Sequence, residues 1–264
     1  MKKLLLTSLG IFLVFFLFAQ NLPEVFSSMS VTIKEGHSPP EVANYVKAVN
    51  KGLQKYGRGI GVWTSYGDRG EQSQKFAWGF AFDFKEVRDY YFPKADDNSE
   101  GANPQFDAMG QKMASNGYNI NQDGFESGPY TDWVCVGFDH LINPQIGGLV
   151  GVRNIPLKKG MEMDFEKYVT NELYPAFEKN HPGFNVYVYK GDRGAGKDTY
   201  TLLMSFDSVA KRNEFFPDAG SNGTDAFTKA YAMVASAMDK FNQYTEGPVT
   251  GGSYTDYVSI DVGN

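Results

Sequence analysis

The chain has 264 residues, of which 42% are hydrophobic and 21% charged, with a formal net charge of -6 at pH 7. This is an ordinary globular composition, with enough length for one substantial core or two small ones. The acidic balance gives no electrostatic reason to bind nucleic acid or anionic lipid. The only cysteine, Cys135, cannot form an internal disulfide, so a disulfide-held fold is excluded.

The N-terminus has the pattern of a secretory signal peptide. Lys2 and Lys3 precede an apolar run over residues 4–18, and the small residue Ala19 follows. The run is shorter than the ~20 residues that span a bilayer, although a permanent anchor stays open as the alternative. We therefore predict a signal peptide over residues 1–20 and an exported protein, periplasmic or secreted, with no membrane insertion after cleavage.

Residues 21–139 are predicted to form a first unit. A short strand around residues 31–33 precedes a helix that begins near residue 39, and a second strand covers residues 60–66. Residues 76–82 alternate aromatic and small side chains, as in a strand with two different faces. Helices follow, and residues 131–138 form the closing strand.

Residues 149–264 are predicted to repeat this order after a short linker over residues 140–148. The second unit has its own first helix, which Pro175 is expected to end or kink. Alternating residues 184–189 and the segment 199–206 are the next strands, a longer helix follows, and residues 255–262 close the unit.

Short motifs recur at a constant spacing of 124 residues. These are Gly67-Asp68-Arg69-Gly70 with Gly191-Asp192-Arg193-Gly194, Phe82-Asp83 with Phe206-Asp207, Phe92-Pro93 with Phe216-Pro217, and Tyr130-Thr131-Asp132 with Tyr254-Thr255-Asp256. A spacing kept over that distance indicates a tandem duplication of one folding unit.

The order strand, helix, strand, strand, helix, strand is that of a ferredoxin-like unit. One such unit leaves a sheet face bare, and a second copy can cover it by closing the two sheets into a barrel. In this respect the chain resembles the dimeric α/β-barrel superfamily, which includes NIPSNAP-like, EthD-like and antibiotic-biosynthesis-monooxygenase-like proteins. The resemblance implies an α+β fold in which two tandem ferredoxin-like (βαββαβ) units form a pseudo-dimeric α/β barrel.

The strand faces opposite the aliphatic ones are expected to point into the barrel. Aromatic side chains on those faces are the candidate ligand-binding residues: Trp63, Trp133, Tyr187, Tyr189 and Tyr257. Aromatic walls with small residues opposite are typical of an apolar ligand site. The alternative is a barrel that its own aromatic side chains fill.

The two Gly-Asp-Arg-Gly motifs are predicted to lie at hairpin tips, between the second and third strands of each unit. We interpret them as structural turns in which Asp68 pairs with Arg69, and Asp192 with Arg193. The functional alternative is a pair of guanidinium groups that grip a carboxylate or phosphate.

Neither a metal site nor nucleophilic catalysis is indicated. The three histidines, His37, His140 and His181, have no metal-ligand spacing and fall outside the predicted inward-facing strand positions, which argues against a haem or zinc enzyme. A nucleophile elbow is absent from the sequence, and Cys135 lies in a strand, where a buried inert thiol is expected. We predict no cofactor and no metal.

Three functional hypotheses follow, and the sequence leaves open whether the protein is an enzyme. The first is an exported cell-envelope protein that binds a small apolar or aromatic ligand or a partner protein. The second, which the resemblance permits, is a cofactor-independent oxygenase or isomerase that uses the barrel cavity. The third is an interaction module that uses the two hairpin tips.

Overall fold

The computed structural model describes residues 20–93, 102–118, 124–142, 144–247 and 254–260. The predicted signal peptide falls almost entirely outside these ranges. Every helix within them is too short or too polar to span a bilayer.

Strands and helices are interspersed along the chain. The strands are β1 (Gln20–Asn21), β2 (Val25–Ile33), β3 (Ile60–Gly70), β4 (Phe76–Phe82), β5 (Phe125–Cys135), β6 (Gln145–Ile146), β7 (Leu149–Ile155), β8 (Asn185–Gly194), β9 (Tyr200–Phe206) and β10 (Tyr254–Ser259). The helices are α1 (Pro39–Tyr56), α2 (Lys85–Tyr91), α3 (Pro104–Met113), α4 (Glu162–Tyr168), α5 (Tyr174–Asn180), α6 (Val209–Phe215), α7 (Asp225–Ala232) and α8 (Ala235–Phe241).

Eight of the strands close into one antiparallel barrel in the order β10-β3-β4-β2-β5-β8-β9-β7. Closure leaves none of these strands at an unpaired edge. The helices pack on the outside, where they cover the aliphatic faces of the strands. The mixed α/β barrel that the resemblance implied is therefore present.

The order of elements in residues 25–135, the first half, recurs in residues 149–259, the second half. The offset of 124 residues holds at the level of whole elements: β4 corresponds to β9, and α2 to α6, with no shift at either end. The halves meet at two seams, where β5 pairs with β8 and β10 pairs with β3.

The segment predicted as a linker contains a strand. Residues 145–146 form β6, which pairs antiparallel with β1 at residues 20–21. The backbone N–H of Leu22 also donates to the carbonyl of Pro144 at 3.2 Å. The start of the described chain is thus tied to the connection between the halves.

Pro175 does not end the helical segment of the second half. The backbone of this segment is irregular just before the proline. A π-helical turn at Val169–Leu173 joins α4 to α5, whereas α1 is α-helical throughout. Proline has no N–H to donate to the residue four positions earlier, and the wider turn removes the need for that hydrogen bond.

Three apolar clusters hold the fold. One lies between strands and helices in the first half, a second in the corresponding place in the second half, and a third inside the barrel. The second is dense in aromatic side chains that are almost fully buried, such as Phe165, Tyr174 and Phe241. Burial of each such side chain contributes about 1.5–3 kcal/mol, so packing supplies most of the stability of a chain without disulfides.

Candidate functional site

Cross-strand pairing places the predicted aromatic residues inside the barrel. Phe26 pairs with Ala81 and Trp133, and Trp63 pairs with Gly79. Paired residues share a face of the sheet, and the neighbouring positions on the same strands pack against the helices. These side chains therefore face the lumen.

Phe26, which was not among the predicted site residues, is the centre of the lumen cluster. Its ring centroid lies 5.9 Å from Trp63, 6.4 Å from Trp133 and 4.8 Å from Tyr189. The Nε1 of Trp63 donates to the carbonyl of Ser27 at 3.0 Å, and the Nε1 of Trp133 donates to Ser28 Oγ at 2.8 Å. Both indoles are thus held by β2.

Tyr187 and Tyr189 of the second half are buried, and their hydroxyl groups are bonded within the protein. Tyr187 donates to the carbonyl of Gln145 and Tyr189 to that of Pro23, each at 2.7 Å. Burial raises the pKa of Tyr187 to about 12 and that of Tyr189 well above its usual range. Both hydroxyls stay protonated at neutral pH, so they stabilise the barrel and are poor acids or bases.

The first half's side of the lumen is more open. Phe26, Trp63, Trp133 and Tyr257 face inward, yet each keeps accessible surface. The lumen is therefore filled on one side, as the structural alternative predicted, and accessible on the other.

Ser65 supplies an unused polar group on the accessible side. It alternates with Trp63 along β3 and pairs with Ala77, so its side chain points inward. The residue is 4% exposed, and its hydroxyl has no hydrogen-bond partner among the described residues. A buried hydroxyl without a partner costs about 1–3 kcal/mol, which a ligand oxygen could recover.

Cys135 has the inert character that its strand position predicted. It is buried, its Sγ lies 3.9 Å from the hydroxyl of Tyr174, and burial raises the pKa of its thiol to about 12. A thiol that stays protonated at neutral pH is a weak nucleophile.

The Gly-Asp-Arg-Gly motifs lie within strands rather than at turns, because β3 and β8 extend through them to Gly70 and Gly194. The chain turns just beyond, at residues 71–74 and 195–198. Each motif then reaches across a seam to the other half. We term these two contacts the seam locks.

The first seam lock joins the second half's motif to α2. The guanidinium of Arg88, which is 1% exposed, donates to Asp192 at 2.6 Å and to Asp132 at 3.4 Å. Arg193 donates to Asp89 and to the carbonyl of Phe92, both at 2.6 Å.

The second seam lock repeats the first with an offset of 124 residues. Arg212 donates to Asp256 and Asp68, and Arg69 donates to the carbonyl of Phe216 at 2.7 Å and to Asn213 at 2.9 Å. The arginines of both motifs are thus engaged within the protein. The local pairing that we predicted is present only as longer contacts: 3.8 Å for Arg69 with Asp68, and 3.9 Å for Arg193 with Asp192.

Sequence reasoning missed Arg88 and Arg212, although the signal was available. Asp132 and Asp256 stand in the repeated Tyr-Thr-Asp motif, and the two arginines are also 124 residues apart. A charged residue kept at the same position in both halves, in elements that otherwise differ, indicates a shared structural partner.

The described residues do not fit a haem or a zinc ion. They contain no group of three or more His, Cys, Asp or Glu side chains that could hold a metal. His37, His140 and His181 are exposed, and the space between the second half's sheet and helices is filled by its aromatic core. We therefore derive no chemistry through a metal or a haem.

Comparison with known proteins finds only distant structural likenesses. The sequence matches no protein-family model, and no curated protein is significantly similar to it. A solved structure named as a monooxygenase, from Lactobacillus acidophilus NCFM, is 9% identical, covers 90% of this chain and 94% of its own, and has a TM-score of 0.49. A chlorite dismutase from Candidatus Nitrospira defluvii is 8% identical, covers 91% and 92%, and has a TM-score of 0.44. An anthrone oxidase-like protein is 12% identical, covers 91% and 94%, and has a TM-score of 0.41.

These structures correct the first functional hypothesis. Each is named for an enzymatic activity, whereas we predicted an exported cell-envelope binding protein. The predicted binding function is wrong by this comparison, and the enzymatic alternative agrees with it better; export is not tested by it and stays a prediction. Likenesses at this distance say nothing about the substrate of this protein.

Proposed function

We propose that the protein is a cofactor-independent oxygenase whose substrate is an electron-rich aromatic compound bound in the barrel lumen. The observations that carry the proposal are the inward-facing Trp63, Trp133 and Tyr257, which are only partly buried, and the hydroxyl of Ser65, which has no partner among the described residues. Aromatic walls with a few polar groups are typical of small-molecule sites.

The lumen residues suit a reaction in which the reactivity comes from the substrate and not from a cofactor. An activated C–H compound of this kind loses a proton to solvent at the accessible side of the lumen, and the carbanion that remains reacts directly with O2, so the protein needs to bind the compound and orient it. Trp63 and Trp133 would hold the rings, and the hydroxyl of Ser65 would donate to the substrate's carbonyl oxygen as negative charge develops there. Burial raises the pKa of Tyr257, which keeps this second hydroxyl available as a donor.

We further infer that the two halves are tandem copies of one ferredoxin-like unit. The 124-residue offset of elements and seam locks supports this origin. Their linings differ: Trp63 and Ser65 of β3 correspond to Tyr187 and Tyr189 of β8. In this reading one copy kept an open wall and the other became a packed one, so a single substrate binds on the first half's side.

The test is O2 consumption with anthrone, whose acidic C–H and flanking rings match the proposed chemistry. Anthrone and O2 give anthraquinone and water with no further reagent. We expect uptake of one O2 per anthrone, and we expect Ser65→Ala to lower kcat/KM by about tenfold, the value of one hydrogen bond to developing charge. Because that variant removes an unsatisfied buried hydroxyl, its stability should be equal or higher.

Ser205→Ala is the matched control. Ser205 faces the packed side of the lumen and accepts a hydrogen bond from the backbone N–H of Gly147 at 2.7 Å. Its loss should lower stability by about 1 kcal/mol and leave O2 uptake unchanged. Uptake no faster than without protein, or equal kcat/KM in Ser65→Ala and the unaltered protein, would overturn the proposal.

A further inference from the structure

A groove of about 610 Å³ lies outside the barrel, at the seam where β5 meets β8. The end of β5 forms one wall, the helical segment around the π-turn forms another, and Lys190 of β8 lies between them. Its lining includes Gly137, Met163, Glu166, Thr170 and Lys190.

The groove contains a carboxylate held between a cation and a phenol. Glu166 Oε1 accepts from Lys190 Nζ at 3.0 Å and from the Tyr200 hydroxyl at 2.5 Å. No described residue donates to Oε2. The side chains of Glu166 and Lys190 are 35% and 39% exposed, so solvent and small molecules can reach them.

The two groups that donate to Glu166 keep their protons at neutral pH. Burial lowers the pKa of Lys190, but hydrogen bonds to Glu166 and Tyr200 outweigh it and raise that pKa above its usual value. Burial and the Glu166 carboxylate raise the pKa of Tyr200 to about 12. At neutral pH the groove therefore presents an ammonium and a protonated phenol around one carboxylate oxygen.

The first half has an apolar pair of side chains at the equivalent position. Lys190 and Tyr200 are cross-strand partners, and 124 residues earlier the partners are Tyr66 and Phe76. Those two rings pack on one another with centroids 5.0 Å apart. The stability of a half therefore does not need an ionic cluster at this position, and its presence in the second half calls for another reason.

Two backbone irregularities border the groove. The π-turn, which α1 lacks, carries Thr170, and such turns are frequent at functional sites. Gly137 is left-handed, with φ of 65°, and a Cβ there would lie 2.5 Å from Thr170 Oγ1. Only glycine lets the end of β5 approach the π-turn this closely.

We propose that this groove is a second active site, which transfers protons at carbon next to the carbonyl group of a small carboxylate. Glu166 takes the proton through Oε2, and the C–H electron pair moves to the carbonyl oxygen to form an enolate. Lys190 binds the enolate oxygen, and the proton returns from Glu166 to carbon or to that oxygen. The step is an isomerisation and consumes no oxidant.

The rim favours an anionic substrate of moderate size. Lys85 pairs with Asp192 at 3.6 Å and Lys190 with Glu166 at 3.0 Å, and Lys167 adds a third cation to the lining, in a protein whose net charge is -6. Such a local excess of positive charge attracts small anions. Met163, Val134 of β5 and Val136 just after it add an apolar wall for a hydrocarbon group.

Deuterium exchange tests the proposal with phenylpyruvate as the probe. In D2O the C3 protons should disappear from the proton NMR spectrum faster with protein than in buffer alone. Glu166→Gln should lower the protein-dependent rate at least about 100-fold, the usual contribution of a general base, and Glu166→Asp should keep part of it. The assay does not involve O2, so it succeeds or fails independently of the oxygenase.

Glu172→Gln is the control. Glu172 lies on the same π-turn but pairs with Lys240 and is not part of the groove, so its removal should leave the exchange rate unchanged. Thermal midpoints of all variants report on folding. The proposal is overturned if the unaltered protein exchanges no faster than buffer, if Glu166→Gln matches it, or if Glu172→Gln loses as much as Glu166→Gln.

Discussion

At the scale of single residues, the seam locks have the largest expected effect on stability, because they bury charged groups. Arg88 and Arg212 are each 1% exposed, and each binds one aspartate of its own half and one of the other. Burial raises the pKa of Asp132 and Asp256, and the arginines lower it without cancelling the burial effect. These carboxylates are therefore tolerated only while their arginines are present.

Arg88→Met should lower the free energy of unfolding by about 3–5 kcal/mol, because Asp132 would stay buried without its cation. Denaturant unfolding followed by fluorescence measures this change. Arg58→Met is the control, since Arg58 is exposed and only its backbone N–H is bonded, to the hydroxyl of Tyr91. That variant should change stability by less than about 0.5 kcal/mol. A loss of stability in Arg88→Met as small as that in Arg58→Met would mean that the lock contributes little to the free energy of unfolding.

At the scale of elements, the Gly-Asp-Arg-Gly segments show what the sequence could and could not predict. The repeat predicted equivalent elements, and the alternation of residues 76–82 predicted a strand with two faces. The sequence contained no sign that β3 and β8 continue through the motifs, because glycine and aspartate usually indicate a turn. Strand pairing across the seams outweighs that preference.

The residues of the lumen were likewise predictable only in part. Trp63, Trp133, Tyr187 and Tyr189 were predicted to face inward, and the strand registers place them there. Which side would be packed and which accessible depends on contacts between distant strands, such as Phe26 with Trp63. The groove was missed for a related reason, since Glu166, Lys190 and Tyr200 come from a helix and two strands.

Glycine substitutions test the close packing of the connection that follows the first motif. A Cβ on Gly67 would lie 1.9 Å from the carbonyl oxygen of Gln72, so Gly67→Ala should distort the β3–β4 connection and lower stability by about 1–3 kcal/mol. Gly110 lies in helix α3 with nothing within 4 Å of its Cβ position, and Gly110→Ala should raise stability by about 0.5–1 kcal/mol. Thermal unfolding of both variants checks the opposite signs. If Gly67→Ala were neutral, the tight packing of this connection would be contradicted.

At the scale of the whole molecule, the barrel joins two similar halves into one unit. Each half contributes four strands, and each seam is closed by a strand pair and by a lock. The shared residues are mostly those of the frame, while the residues that differ line the lumen and the groove. The recurring elements thus provide the fold, and the positions at which the halves differ provide the two proposed sites.

The most direct test of the central proposal is a crystal structure of the protein with anthraquinone, the product expected from anthrone. We expect difference density for the rings inside the barrel, beside Trp63 and Tyr257, with a quinone oxygen within hydrogen-bond distance of Ser65 Oγ. Density only outside the barrel, or a lumen that side chains fill completely, would contradict it.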